Sequence, residues 1–171
     1  MHTISLTTIK ANEISRLNKL IQSLEDFKTD KILVKSVSFS LKDVPNIETW
    51  DNLIIYYFEI NEKLTKHELD RFWKDLESEW RKYAKQNRAG MENENILYVG
   101  SSHGFWRRFK EHCGLWYKWT YSLQMNTWID TSRVITVNYI IVDNVFENIL
   151  QLLEDALYDE LKPLFGKKWK K

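Results

Sequence analysis

Only one cysteine, Cys113, occurs in the 171 residues. That excludes an internal disulfide framework and points to a reducing, cytoplasmic setting. No apolar run approaches the roughly 18–20 residues that a membrane span needs. The opening MHTISLTTIKANE lacks the apolar core of a secretory signal, so neither membrane nor export is expected. Proline is scarce, and one of the two sits in DVPNIETWDN, which reads as a loop. There is no internal repeat and no low-complexity tract. Net charge is nearly absent too: 25 Lys+Arg against 24 Asp+Glu leave +1. The distribution is less even. Residues 101–120 hold Arg107, Arg108, Lys110 and Lys118 against Glu111 alone, 162–171 hold five lysines and no acid, and 143–160 hold six acids and no base. Local basic patches let a chain of near-zero charge approach a polyanion, although a basic tail serves equally as a solubilising end.

What is present is apolar and aromatic. The apolar share of 43% is enough for a sizeable core, and the length is that of one domain. Ile14, Leu17, Leu20, Ile21 and Leu24 recur at helical spacing and predict an amphipathic helix over 12–26. Val37, Phe39 and Leu41 alternate with polar residues as in a half-buried strand, and LIIYYFEI (53–60) reads as a buried one. Thr65 and Glu68 form a capping-box pattern before a helix over 66–88. Phe72, Trp73, Leu76, Trp80, Tyr83 and Ala84 are expected on its apolar face. ILYVG (96–100) is a strand, 103–113 a helix, and Ile135, Val137, Tyr139 and Ile141 alternate as a further strand. Phe146 to Leu161 form a last helix that ends before Pro163. Few strands without βαβ regularity place the chain in the α+β class.

Five elements in this order carry a resemblance. Ile54-Ile55-Tyr56 and Tyr98-Val99-Gly100 stand on two of the strands. Arg108 lies ten residues past Tyr98, His112 follows one helical turn later, and Glu154 lies nine residues before Pro163. The set resembles the GIY-YIG nuclease superfamily over residues 52–60 and 96–166. Isoleucine replaces the glycine of the first tripeptide, and Ser101-Ser102 stand where many members carry a lysine. The resemblance implies a small antiparallel sheet flanked by helices, here one domain with an N-terminal extension (1–50) and a helical insertion (61–95). It also implies a metal-dependent DNA endonuclease, restriction-type in the first instance, with a structure-directed or mobile-element nuclease as the alternative. A catalytically silent nucleic-acid-binding module is the rival from another class, and a protein-interaction domain a third.

The family's roles then fall on Tyr56, Tyr98, Arg108, His112 and Glu154. Glu154 would hold one Mg²⁺ or Mn²⁺ ion, which suits a single carboxylate sharing a hard cation with water and phosphate. Arg108 would clamp the scissile phosphate through its planar fork. Tyr56 would orient or deprotonate the attacking water. Its phenol, near pKa 10 when unperturbed, then needs positive charge beside it, and His112 is a candidate acceptor for its proton. Only one of Tyr56 and Tyr57 faces the site, and register with the family favours Tyr56. Duplex DNA is the expected partner, met by Ser101, Ser102, His103, Arg107, Lys110, Trp116, Lys118, Trp119, Lys167 and Lys168, with Tyr121 and Trp128 as further stacking candidates. One site cuts one strand, so a double-strand cut favours a homodimer.

Overall fold

β-Branched and aromatic residues dominate four segments, and these become the sheet. The computed structural model describes residues 14, 15, 17–19, 21, 22, 25, 34–47, 53–76, 84, 95–117, 119–142 and 149–166. Strands β1 (Val34–Ser40), β2 (Leu53–Ile60), β3 (Ile96–Ser102) and β4 (Val134–Val142) form one antiparallel sheet in the order β1-β4-β2-β3. Helices α1 (Lys66–Leu76), α2 (Phe105–Cys113) and α3 (Leu150–Leu161), with a 3₁₀ turn at Met125–Thr127, complete an α+β architecture. β1, expected within an N-terminal extension, is a full outer strand of the sheet, paired along its length with β4.

β2 is apolar without alternation because it is covered on both sides. Ile54, Tyr56, Phe58 and Ile60 enter the main core with Phe105 and Phe109 of α2, Leu97, Val137 and Phe165. Leu53 and Ile55 point the other way, into a smaller cluster with Val142, Leu150, Leu153 and Leu157. α3 therefore closes one face and α2 the other. β2 and β3 are direct neighbours, although residues 61–95 intervene in sequence.

The cap of α1 is built as its sequence predicts. Glu68 N–H donates to Thr65 Oγ1 at 3.2 Å, and Thr65 N–H donates back to Glu68 Oε2 at 2.8 Å. Glu68 is also buried, with its other oxygen taking the Asp130 N–H at 3.1 Å and facing Arg133 Nε at 3.6 Å. Burial alone would raise its pKa, and the Thr65 and Asp130 donors outweigh it, so the carboxylate stays below its usual range. The helix is described from Lys66 to Leu76. Ala84 lies outside any helix, and its N–H donates to the Ser122 carbonyl at 2.9 Å. Phe72 is buried while Trp73 is exposed, since adjacent helical positions diverge by about 100°. Trp80 and Tyr83 lie outside the described residues. So does Phe146, and α3 is described from Leu150. The described residues between 14 and 25 are helical, and Ile14, Leu17 and Ile21 of the expected apolar stripe are exposed. Among the described residues, no helix is long and apolar enough to cross a membrane.

Candidate active site

The register of β2 and β3 sets the site. Tyr56 stands opposite Gly100, and Phe58 opposite Tyr98, so strand alternation puts both tyrosines on the α2 side of the sheet. Their rings lie 6.2 Å apart at 28°, with Gly100 between them. A Cβ at Gly100 would sit 2.6 Å from Tyr98 Cε1 and 3.0 Å from the Tyr56 hydroxyl oxygen. The glycine of Tyr98-Val99-Gly100 is thus a space requirement of the two rings. Tyr57, on the opposite side, is half-buried.

α2 brings the next two groups. Arg108 and His112 are one turn apart and lean toward the tyrosines, and the His112 ring lies 4.4 Å from the Tyr98 ring. Tyr56 Oη is 3.1 Å from His112 Nε2, and both side chains are buried. The other ring nitrogen, Nδ1, accepts the Leu123 backbone N–H at 3.2 Å. A nitrogen that accepts carries no proton, so the neutral ring holds its proton on Nε2 and donates it to Tyr56 Oη. Burial, helped by the charge of Arg108, keeps the His112 pKa well below 6.5. In this resting tautomer His112 Nε2 donates to the phenol oxygen and does not accept from it.

The expectation for Tyr56 changes as well. Arg108 does pull the phenol pKa down, by charge and hydrogen bonding, but burial is the larger effect. With Tyr98 and Glu154 adding to it, the Tyr56 pKa is raised well above its ordinary value. Tyr56 rests as a neutral phenol.

Arg108 is held by several partners. Its Nη1 donates to Glu111 Oε2 at 2.8 Å and its Nη2 to the Tyr121 carbonyl at 2.5 Å, while its charge also acts on Tyr56 and Tyr98. Glu111 is buried and has Arg107 within 3.8 Å. Nothing beyond the i to i+3 spacing of Arg108 and Glu111 marks this carboxylate as the group that orients the arginine, and sequence reasoning missed it.

Glu154 arrives from α3. Ser101 Oγ donates to its Oε2, so this serine is a partner of the carboxylate. Burial raises the Glu154 pKa, and the Ser101 donors and the charge of Arg108 oppose that shift. Its charge reaches Tyr56 too. The five side chains thus form one electrostatic unit, spread over β2, β3, α2 and α3. Among the described residues no group of three or more His, Cys, Asp or Glu side chains is placed to hold a metal together. A single half-buried carboxylate with one oxygen already fixed by a serine is the donor set present here. That set fits a hard divalent ion that takes its remaining ligands from water and phosphate.

The residues expected to meet DNA divide. Ser102 Oγ accepts the Gly104 N–H at 3.1 Å and so shapes the entry to α2. His103, Arg107, Trp116 and Trp119 are exposed. Lys110 Nζ lies 4.4 Å over the Trp106 ring and 5.3 Å from that of Trp116. Trp128 is fully buried, with its Nε1–H given to the Leu123 carbonyl at 2.7 Å, so it is core and not a stacking residue. Lys118, Lys167 and Lys168 lie outside the described residues. No family model, no curated protein and no solved structure matches this chain.

Proposed function

We propose that this chain is a metal-dependent DNA endonuclease of the GIY-YIG type, hydrolysing phosphodiester bonds at the Tyr56, Tyr98, Arg108, His112 and Glu154 cluster. The observation that carries this reading is the contact of Tyr56 Oη with His112 Nε2 at 3.1 Å, beside an arginine that acts on both tyrosines and on Glu154. Such a set serves a reaction in which a phosphate must be gripped, a water oriented and one cation held.

Arg108 offers a guanidinium already oriented by Glu111 and the Tyr121 carbonyl, and its side chain is still 22% exposed. It binds the scissile phosphate and offsets the charge that grows on its oxygens. Tyr56, a neutral phenol, orients the attacking water, which bonds to phosphorus as the P–O ester bond breaks, its proton passing through solvent to the departing alkoxide. The His112 Nε2–H fixes the position of Tyr56 Oη. Tyr98 and Gly100 set the spacing of the phenols. Glu154 is the residue that would hold Mg²⁺ or Mn²⁺, which supplies a Lewis acid at the phosphate and charge compensation at the leaving oxygen. Restriction-type cleavage of duplex DNA by a homodimer is one form of this proposal, and structure-directed cleavage beside unpaired nucleotides is the alternative form.

The test is a supercoiled plasmid incubated with Mg²⁺ and wild type, Glu154→Ala or Arg108→Ala. Nicking or linearisation by wild type alone supports the reading. DNA binding by all three with no cleavage makes the chain a silent binding module. An absence of salt-dependent DNA affinity makes it neither.

A further inference from the structure

The stretch after α2 presents side chains that the cluster above does not use. Trp116, Tyr117, Trp119 and Tyr121 are 46%, 66%, 55% and 59% exposed. Large aromatics are ordinarily spent on burial, as Trp128 is a few residues later. Leu115, Trp116, Tyr117 and Trp119 line an open concavity of about 480 Å³. The chain has no acid from 112 to 129, and Lys110 reaches over two indole rings. Exposed aromatic faces therefore stand beside one ammonium group. The Tyr121 backbone carbonyl, further along the same stretch, accepts from Arg108 Nη2 and ties the stretch to the cluster.

We propose that Trp116, Trp119 and Tyr121 form a nucleobase-stacking subsite that takes unpaired nucleotides next to the scissile phosphate. Its position relative to the cut rests on the reading of the cluster as a phosphodiester site. A polyanion carrying flat rings is the ligand that matches both the lysine and the aromatic faces. Bases inside a duplex present only their edges, whereas unpaired ones present a face. The preferred substrate is thus DNA with a single-stranded overhang, flap or gap. A second copy of the chain fits less well, because a two-fold contact through this patch would bring Lys110 toward its own equivalent.

The experiment measures anisotropy of three labelled DNAs with the full chain at fixed salt and without divalent ion: a single strand, a blunt duplex, and that duplex with a single-stranded overhang. The overhang and single strand should bind at least about tenfold more tightly than the blunt duplex. Trp116→Ala and Trp119→Ala should each weaken overhang binding by roughly tenfold and change blunt-duplex binding little, with phenylalanine restoring most of the loss. A urea midpoint equal to wild type shows that these exposed substitutions leave the fold intact. Equal binding of blunt and overhang DNA overturns the proposal. So does a dimer in sedimentation that Trp119→Ala dissolves, or a Trp119-dependent preference for phosphatidylglycerol vesicles over every oligonucleotide. Because no divalent ion is present, the two readings fail separately. Overhang preference without later Mg²⁺-dependent cleavage removes the nuclease and keeps the subsite, and cleavage without preference does the reverse.

Discussion

Gly100→Ala is a sharp probe of the site because it adds one carbon where two rings already meet. The new Cβ would stand 2.6 Å from Tyr98 Cε1, where ordinary contact begins at 3.4 Å, so about 0.8 Å must be found. Tyr56 blocks retreat on the other side, with its hydroxyl oxygen at 3.0 Å and Cζ at 3.1 Å. Tyr56 is fully buried and bonded to His112, whereas Tyr98 is only partly buried, so the movement falls mainly on Tyr98. Overpacking of this kind costs about 1–3 kcal/mol. The lost backbone freedom of the unfolded alanine chain returns roughly 0.5–1 kcal/mol. The mid-range difference, a net destabilisation of about 1.3 kcal/mol, is expected, read as a lower urea midpoint with an unchanged slope. In a Tyr98→Ala background the same substitution should cost clearly less, because the nearest clashing atom is gone. A Gly100→Ala protein as stable as wild type, or an equal cost in both backgrounds, refutes the reasoning.

Two further outcomes follow from the same geometry. His112 is neutral in the folded protein but takes a proton near pH 6.5 once unfolded, so the unfolded state binds more protons below that pH. Stability should therefore fall as pH drops from about 6.5, by up to about 1.4 kcal/mol per unit, until the depressed folded pKa is reached. Glu154 has the opposite sign, its raised pKa favouring the fold as pH falls, so the His112 contribution is read as the difference between wild type and His112→Gln across pH 5–7.5. Equal pH slopes for the two proteins would count against a buried neutral imidazole. Tyr56→Phe removes the oxygen that receives the Nε2–H of His112 and leaves that donor buried and unpaired, a cost of about 1–3 kcal/mol in urea unfolding. Its plasmid cleavage should fall by about 100-fold or more at pH 7.5, whereas near-wild-type cleavage would remove Tyr56 from the chemistry.

Much of the architecture was legible along the chain. LIIYYFEI and ILYVG are too short and too β-branched or aromatic for helices, and Val134–Val142 alternates, so the strands could be placed from local pattern alone. Thr65 and Glu68 announced a cap that forms as written. The candidate cluster could be assembled only through a family resemblance, because no local rule links Tyr56 to Glu154. Other features carried no signal at all. Residues 116–128 have no clean period, so nothing in the text of the chain separates buried Trp128 from exposed Trp116 and Trp119. Glu111 looked like an ordinary helical surface acid and is buried because Arg108 turns inward to meet it.

The order and type of the elements, the apolar faces and the cap of α1 follow from nearest-neighbour chemistry, which acts over a few residues. The proton position on His112 does not. It depends on the Leu123 amide, eleven positions further along the chain, reaching Nδ1. The state of Tyr56 likewise depends on how much of its surroundings is protein and how much is water. Burial, tautomer and the balance of charges around a buried phenol are properties of a three-dimensional environment, and only the tertiary packing of α2 and α3 against the sheet decides them.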